Sequence, residues 1–274
     1  LSVAPPREPQ IGKTINRWVS VNHFVVRHLL VGVLCLIAAP VLGCATNRID
    51  AEAKVIWIYD GDTVELEGGE KLRLIGINTP ERGRHGKPAQ AYALAAWHAL
   101  QQDLARHNNH VLLRYGEERR DPYGRLLAHL YLSNQSNINA DLLRRGLAIA
   151  ITIPPNDWNV DCYRSAEAQA RREKIGIWSP QYRPLESSRL KGFEHGFHII
   201  AGTVTRIGPS SHALWLDLKN KLGVRIDHAD EHNFDSTDLA KLKGKRIEVR
   251  GWLYPTKGAL RMRLRHPADL KILP

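Results

Sequence analysis

Asp60-Gly61-Asp62-Thr63 places two carboxylates on either side of a glycine, with a hydroxyl next in line. Arg73 follows inside an apolar stretch, between Leu72 and Leu74. Asn78-Thr79-Pro80-Glu81 comes five residues later, and Asp121-Pro122-Tyr123-Gly124-Arg125 much further on. Hard divalent cations take several oxygen ligands from carboxylates, amides and backbone carbonyls. A glutamate can take a proton from an attacking water, and guanidiniums fork onto phosphate oxygens. Taken together, these groups have the chemistry needed to hydrolyse a phosphodiester. Each piece alone also has a plain structural reading. Asp-Gly is a common hairpin turn, an arginine between leucines can be one half of a buried ion pair, and Glu81 and Arg125 can be solvated surface residues.

The elements that must position these groups read as strands. Residues 54–59, 63–66 and 71–77 are rich in β-branched and aromatic side chains, with Gly68-Gly69 between the second and third. Pro88 suits the first turn of a helix, and Ala93, Ala96, Trp97, Leu100 and Leu104 continue it at helical spacing to about Arg106. Strands are expected at 111–115 and 126–132. A short helix capped by Asn139 is expected to stop at Gly146, and a longer one capped by Asp161 to end before Gly176. A Pro- and Ser-containing linker at 180–195 precedes a second set of short strands over 196–274.

Several of these stretches resemble the staphylococcal nuclease (thermonuclease) family, in order and over residues 53–179. Residues 58–64 resemble its metal turn, 72–81 its arginine strand and acidic loop, 123–125 its second arginine site, and 166–179 its closing helix. The resemblance implies an OB-type five-stranded barrel with three helices, followed by a second small OB-like β-barrel at 196–274. It implies that Asp62, Asn78 and the Thr79 backbone oxygen ligate a metal, with Asp60 just outside. Arg73, Glu81 and Arg125 would be catalytic, and Tyr123 substrate-binding. The implied cofactor is Ca²⁺. The family usually has Asp where this chain has Asn78, so Mg²⁺ or Mn²⁺ are alternatives. The implied reaction is hydrolysis of DNA or RNA leaving 3′-phosphates. The family's base-stacking tyrosines have no counterpart in 149–155, which contain no aromatic residue.

Charge and cysteines add to this. The chain of 274 residues has 39 Lys and Arg against 28 Asp and Glu, and residues 196–274 hold 14 of the basic residues against 8 acidic ones. A basic domain attracts nucleic acid or an anionic surface. Arg261, Arg263 and Arg265 alternate with Met262 and Leu264, which puts three cations on one strand face. Residues 29–43 form an apolar run behind Lys13, Arg17 and Arg27, the pattern of a signal peptide. The run ends at Val41-Leu42-Gly43-Cys44, which resembles a bacterial lipobox. Residues 1–44 are therefore expected to be a signal peptide, with translation starting near Val21. Cys44 is expected to be lipidated and to anchor the protein to a membrane, and residues 45–52 to act as a tether. An exported lipoprotein of the outer membrane or periplasm follows. With Cys44 so used, Cys162 is left without a disulfide partner in the folded part and is expected to pack as a small apolar group. The alternative is a non-catalytic, nucleic-acid-binding envelope lipoprotein.

Overall fold

Residues 44–83, 86, 88–219, 222–256 and 258–274 are described by the computed structural model, and those from Cys44 onward belong to one unit. The expected signal sequence and residues 41–43 lie outside the described residues. Five strands close the first barrel: β1 (Ala51–Asp60), β2 (Thr63–Leu66), β3 (Lys71–Leu74), β5 (His110–Arg120) and β6 (Leu126–Tyr131), in the order β1-β2-β3-β6-β5. Their inward residues, among them Val64, Leu72, Leu74, Val111, Leu113 and Leu130, are buried together. A short pair, β4 (Ile77–Asn78) with β7 (Ile149–Ala150), extends from the barrel and sets Asn78 opposite Ile149. Three helices complete this half: α1 (Ala93–Ala105), α2 (Ile138–Arg144) and α3 (Val160–Glu173).

Local chemistry sets the helix ends. Tyr92 is left-handed at φ 67°, so α1 begins at Ala93 rather than at Pro88. The caps of α2 and α3 are Asn137 and Asn159, each two residues before the expected one. Asn137 accepts from the Ala140 N–H. Asn139 is instead buried, accepting from the Leu130 N–H and donating to Ile75 O. That ties α2 to β6 and to the chain just beyond β3.

The second barrel is the ring β9 (Gly196–Pro209), β10 (Ala213–Leu218), β11 (Leu222–Asp227), β13 (Ala259–Arg263) and β12 (Arg246–Thr256), closed by the pairing of β12 with β9. Two flanking strands extend it, β8 (Leu185–Glu186) along β9 and β14 (Leu270–Ile272) along β12. Because β8 pairs with β9 and Ser187 and Leu190 are buried, residues 180–195 are built into the second sheet rather than hanging loose. Met262 and Leu264 point inward as the alternation requires. The outward Arg263 and Arg265 are both paired with Asp230, and Arg261 lies over the Trp215 ring. These side chains are therefore tied to partners rather than forming an open track of cations.

The two barrels meet along a seam of buried charge. Arg250 on β12 is fully buried and donates to Glu167 Oε2 of α3 at 2.6 Å and to Ala150 O at 2.9 Å. Arg171 bridges Glu167 and Glu248 at 2.7 and 2.8 Å. Burial pushes the Glu167 carboxyl up, but the Arg250 and Arg171 guanidiniums outweigh it and bring it down to about 2. A buried carboxylate so paired is a strong constraint on relative position, because removing either partner strands a charge.

Cys44 requires a correction. Its sulfur is bonded to that of Cys162 on α3, with Cα atoms 5.6 Å apart, and the residue is buried. Tyr131 and Asn137 donate to its carbonyl oxygen. A sulfur in a disulfide cannot also carry a thioether-linked lipid. Lipidation of Cys44, a membrane contact through it, and a Cys162 that packs as a free thiol are all at odds with this structure.

Candidate active site

Asp60 and Asp62 flank the turn between β1 and β2, and Gly61 at its apex is pressed against other elements. A Cβ on Gly61 would meet Ala96 Cβ and Thr79 Cγ2, each at 2.8 Å. Only glycine permits that approach, and it draws the two carboxylates toward the loop that follows β4. Asp62 Oδ2 accepts from the Thr79 N–H at 2.7 Å, and Oδ1 accepts from Thr63 Oγ1 at 3.1 Å. Asp60 Oδ1 accepts from the Asp62 N–H at 3.2 Å.

Arg73 on β3 joins this cluster. Its guanidinium donates to Leu74 O at 2.9 Å and to Asn78 Oδ1 at 3.2 Å, and Nη2 lies 3.1 Å from Asp62 Oδ2. Asp62, Arg73, Asn78 and Thr79 thus converge through direct contacts. Burial pushes the Asp60 carboxyl up to about 7, and the neighbouring Asp62 carboxylate adds to the shift. Two like charges held together out of water favour a proton or a cation between them.

Arg125 comes from the turn before β6, the neighbour of β3 in the barrel. Asp121 braces its turn, accepting from the backbone N–H groups of Tyr123 and Arg125 at 3.0 and 2.9 Å and pairing with Arg125 Nε at 2.6 Å. Arg73, Arg125 and the 84% exposed Tyr123 line one cavity of about 440 Å³. Glu81 stands apart from Arg125. Its backbone exchanges hydrogen bonds with Gln90, its side chain is exposed, and it lines a neighbouring cavity of about 900 Å³ together with Asn78. Asn78 is therefore the link between Glu81 and the arginine cluster.

Known proteins align with this half of the chain. A family profile described as staphylococcal nuclease homologue matches residues 71–180. Thermonuclease of Staphylococcus intermedius is 36% identical over 124 residues, which is 44% of this chain and 72% of that one. Thermonuclease of Staphylococcus hyicus is 34% identical over 137 residues, covering 49% and 79%. Endonuclease YncB of Bacillus subtilis is 32% identical over 131 residues, covering 44% and 58%. This chain belongs to the staphylococcal nuclease family. The family profile ends at residue 180, so the second barrel lies beyond it.

The donors of this staphylococcal nuclease homologue suit a hard cation. They are the Asp60 and Asp62 carboxylates, the Asn78 amide oxygen and the Thr79 backbone oxygen. Thr79 Oγ1 is buried beside them without a hydrogen-bond partner. Among the described residues no group of three or more His, Cys, Asp or Glu is suited to a metal, so the site is oxygen-rich but low in charge. That composition fits Ca²⁺ or Mg²⁺ better than a transition metal.

Sequence reasoning missed the contribution of the second barrel. Trp252 and Arg265 line the cavity that holds Arg73 and Arg125, and Phe197, His195, His198 and Trp252 line the one that holds Glu81. Residues 246–254 were readable as a strand, but alternation marks an outward face without saying what stands opposite it.

Proposed function

We propose that this protein is a divalent-cation-dependent nuclease that hydrolyses phosphodiester bonds of DNA or RNA. The carrying observation is that Arg73 and Arg125 line one cavity while Arg73 contacts Asp62 and Asn78 directly. Asp62, Asn78 and Thr79 O would hold the cation, with Asp60 beside them and Ca²⁺ the first choice. When bound, the cation supplies Lewis-acid polarisation of a phosphate oxygen. Glu81 takes a proton from water, the water oxygen bonds to phosphorus, and the P–O5′ bond breaks as the departing oxygen takes up a proton from solvent, to which Glu81 later returns its own. The products are a 3′-phosphate and a 5′-hydroxyl. Arg73 and Arg125 take the extra negative charge that develops on the phosphoryl oxygens. Export from the cytoplasm is part of the proposal, and the Cys44–Cys162 disulfide supports it, since such bonds persist in oxidising compartments.

The test is a cleavage assay on DNA and RNA with Ca²⁺ against chelator, with end-group analysis of the products. Cleavage that needs the cation, leaves 3′-phosphates and falls about 10²- to 10⁴-fold in Glu81→Gln is expected. Nucleic-acid binding without cation-dependent cleavage would replace this reading with that of a binding protein.

A further inference from the structure

Trp252 stands at the junction of the two cavities that hold the candidate catalytic groups. It lines one with Arg73 and Arg125, and the other with Asn78 and Glu81. It belongs to β12 of the second barrel, outside the family match at residues 71–180. On β12, Val249 and Leu253 point into the barrel core, so Glu248, Arg250 and Trp252 share the outward face. Glu248 and Arg250 on that face are buried, and Arg250 is locked onto Ala150 and Glu167. Ala150 follows Ile149, which pairs with Asn78. A continuous chain of contacts therefore fixes Trp252 relative to the cation ligands. Yet Trp252 itself is 42% exposed, although Glu248 and Arg250 on the same face are buried.

The ring is also held from one side. Phe197 on β9 is its cross-strand partner, and the two rings meet edge to face with centroids 5.2 Å apart. Phe197 packs in turn on the apolar cluster of Trp178 and Ile199. Charge near the ring favours an anionic strand. Arg265, which lines the Arg73 cavity, belongs to a group in which Arg225, Arg263 and Arg265 share Asp227 and Asp230. Three guanidiniums on two carboxylates leave a positive surplus.

We propose that Trp252, backed by Phe197, is a stacking platform on the second barrel for an unpaired base flanking the scissile phosphate. The proposal rests on the nuclease reading for the position of that phosphate. A base inside a duplex has both faces covered by its neighbours, whereas an unpaired base offers a face to an aromatic ring. The platform stands in place of aromatic residues that 149–155 lack.

Binding of a fluorescent oligothymidylate, measured by anisotropy in chelator with the full chain, tests this without turnover. A hairpin duplex, whose paired bases offer no free face, runs beside it. Trp252→Ala is expected to weaken single-strand binding about 5- to 100-fold, with duplex binding affected far less. Trp252→Phe and Trp252→Leu guard against a folding defect in the alanine variant. Phe should restore most of the affinity and Leu little, because only a ring stacks. Equal affinities for the Phe and Leu variants, or equal losses on single strand and duplex, would overturn the platform. Ring-dependent binding in a wild-type protein that cleaves nothing would leave the platform standing and remove the nuclease reading.

Discussion

Asn78 accepts from Arg73 at 3.2 Å and donates to Thr79 O at 3.5 Å, so its amide sits among the donors assigned to the cation. Asn78→Asp would add a third carboxylate to Asp60 and Asp62. Ligand charge is a main determinant of Ca²⁺ affinity, so the variant is expected to reach half-maximal cleavage at lower Ca²⁺, with little change at saturation. A Ca²⁺ titration of activity measures this, and an unchanged curve would remove Asn78 from the ligands. At this scale the sequence was informative where chemistry is local. Asp60, Asp62, Arg73, Asn78 and Thr79 lie on or beside consecutive strands, and short hairpins force them together. Arg125 also converged, through its own Asp121-braced turn. Cys44 was misread because its partner lies 118 residues away. An apolar run ending in cysteine carries no information about a contact at that distance.

Among the elements, strands were legible by alternation and helices by periodicity, because burial imposes both patterns on the chain. What covers an outward face is not encoded in the pattern of that face. Arg250 shows this. A charged residue in a strand reads as solvent-facing, yet it is fully buried because α3 and β7 of the first barrel close over it. Truncating one partner of a buried pair typically costs about 3–5 kcal/mol. Arg250→Ala should fall near the lower end, since Arg171 stays on Glu167 and Glu248. Urea unfolding is the measurement. A loss under about 1 kcal/mol would mean that Arg171 alone satisfies both carboxylates and that Arg250 is not what holds β12 to α3.

For the molecule as a whole, the seam that holds the two barrels together also makes stability depend on pH, and Asp269 is the group to test. It is buried between β14 and the chain after β7, and its Oδ2 accepts from the Thr152 N–H at 2.9 Å while Oδ1 has no partner. Burial pushes its carboxyl up to about 7, and the Glu167 charge adds to this. The Arg250 and Arg164 guanidiniums and the Thr152 hydrogen bond oppose the shift without cancelling it. Because the folded-state pKa lies above the unfolded value of 3.8, the folded protein keeps a proton that the unfolded chain has lost between about pH 4 and pH 7. This group therefore lowers stability as pH rises through that window, by up to about 1.4 kcal/mol per unit, and has no further effect above it. Asp269→Asn keeps an acceptor for Thr152 and cannot ionise. Its melting temperature is expected to match wild type near pH 4, to exceed it increasingly up to about pH 7, and to keep a constant lead from there to pH 8. Asp60 and His266 also titrate with shifted pKa values, so the quantity to follow is the difference between variant and wild type, in which their contributions cancel. A difference that stays flat from pH 4 to pH 8 would show that Asp269 is ionised throughout, with Arg250 and Arg164 outweighing its burial. A wild-type protein that gains on the variant as pH rises toward about 4, and keeps that lead above it, would show that the seam relies on the Asp269 charge to balance those two arginines.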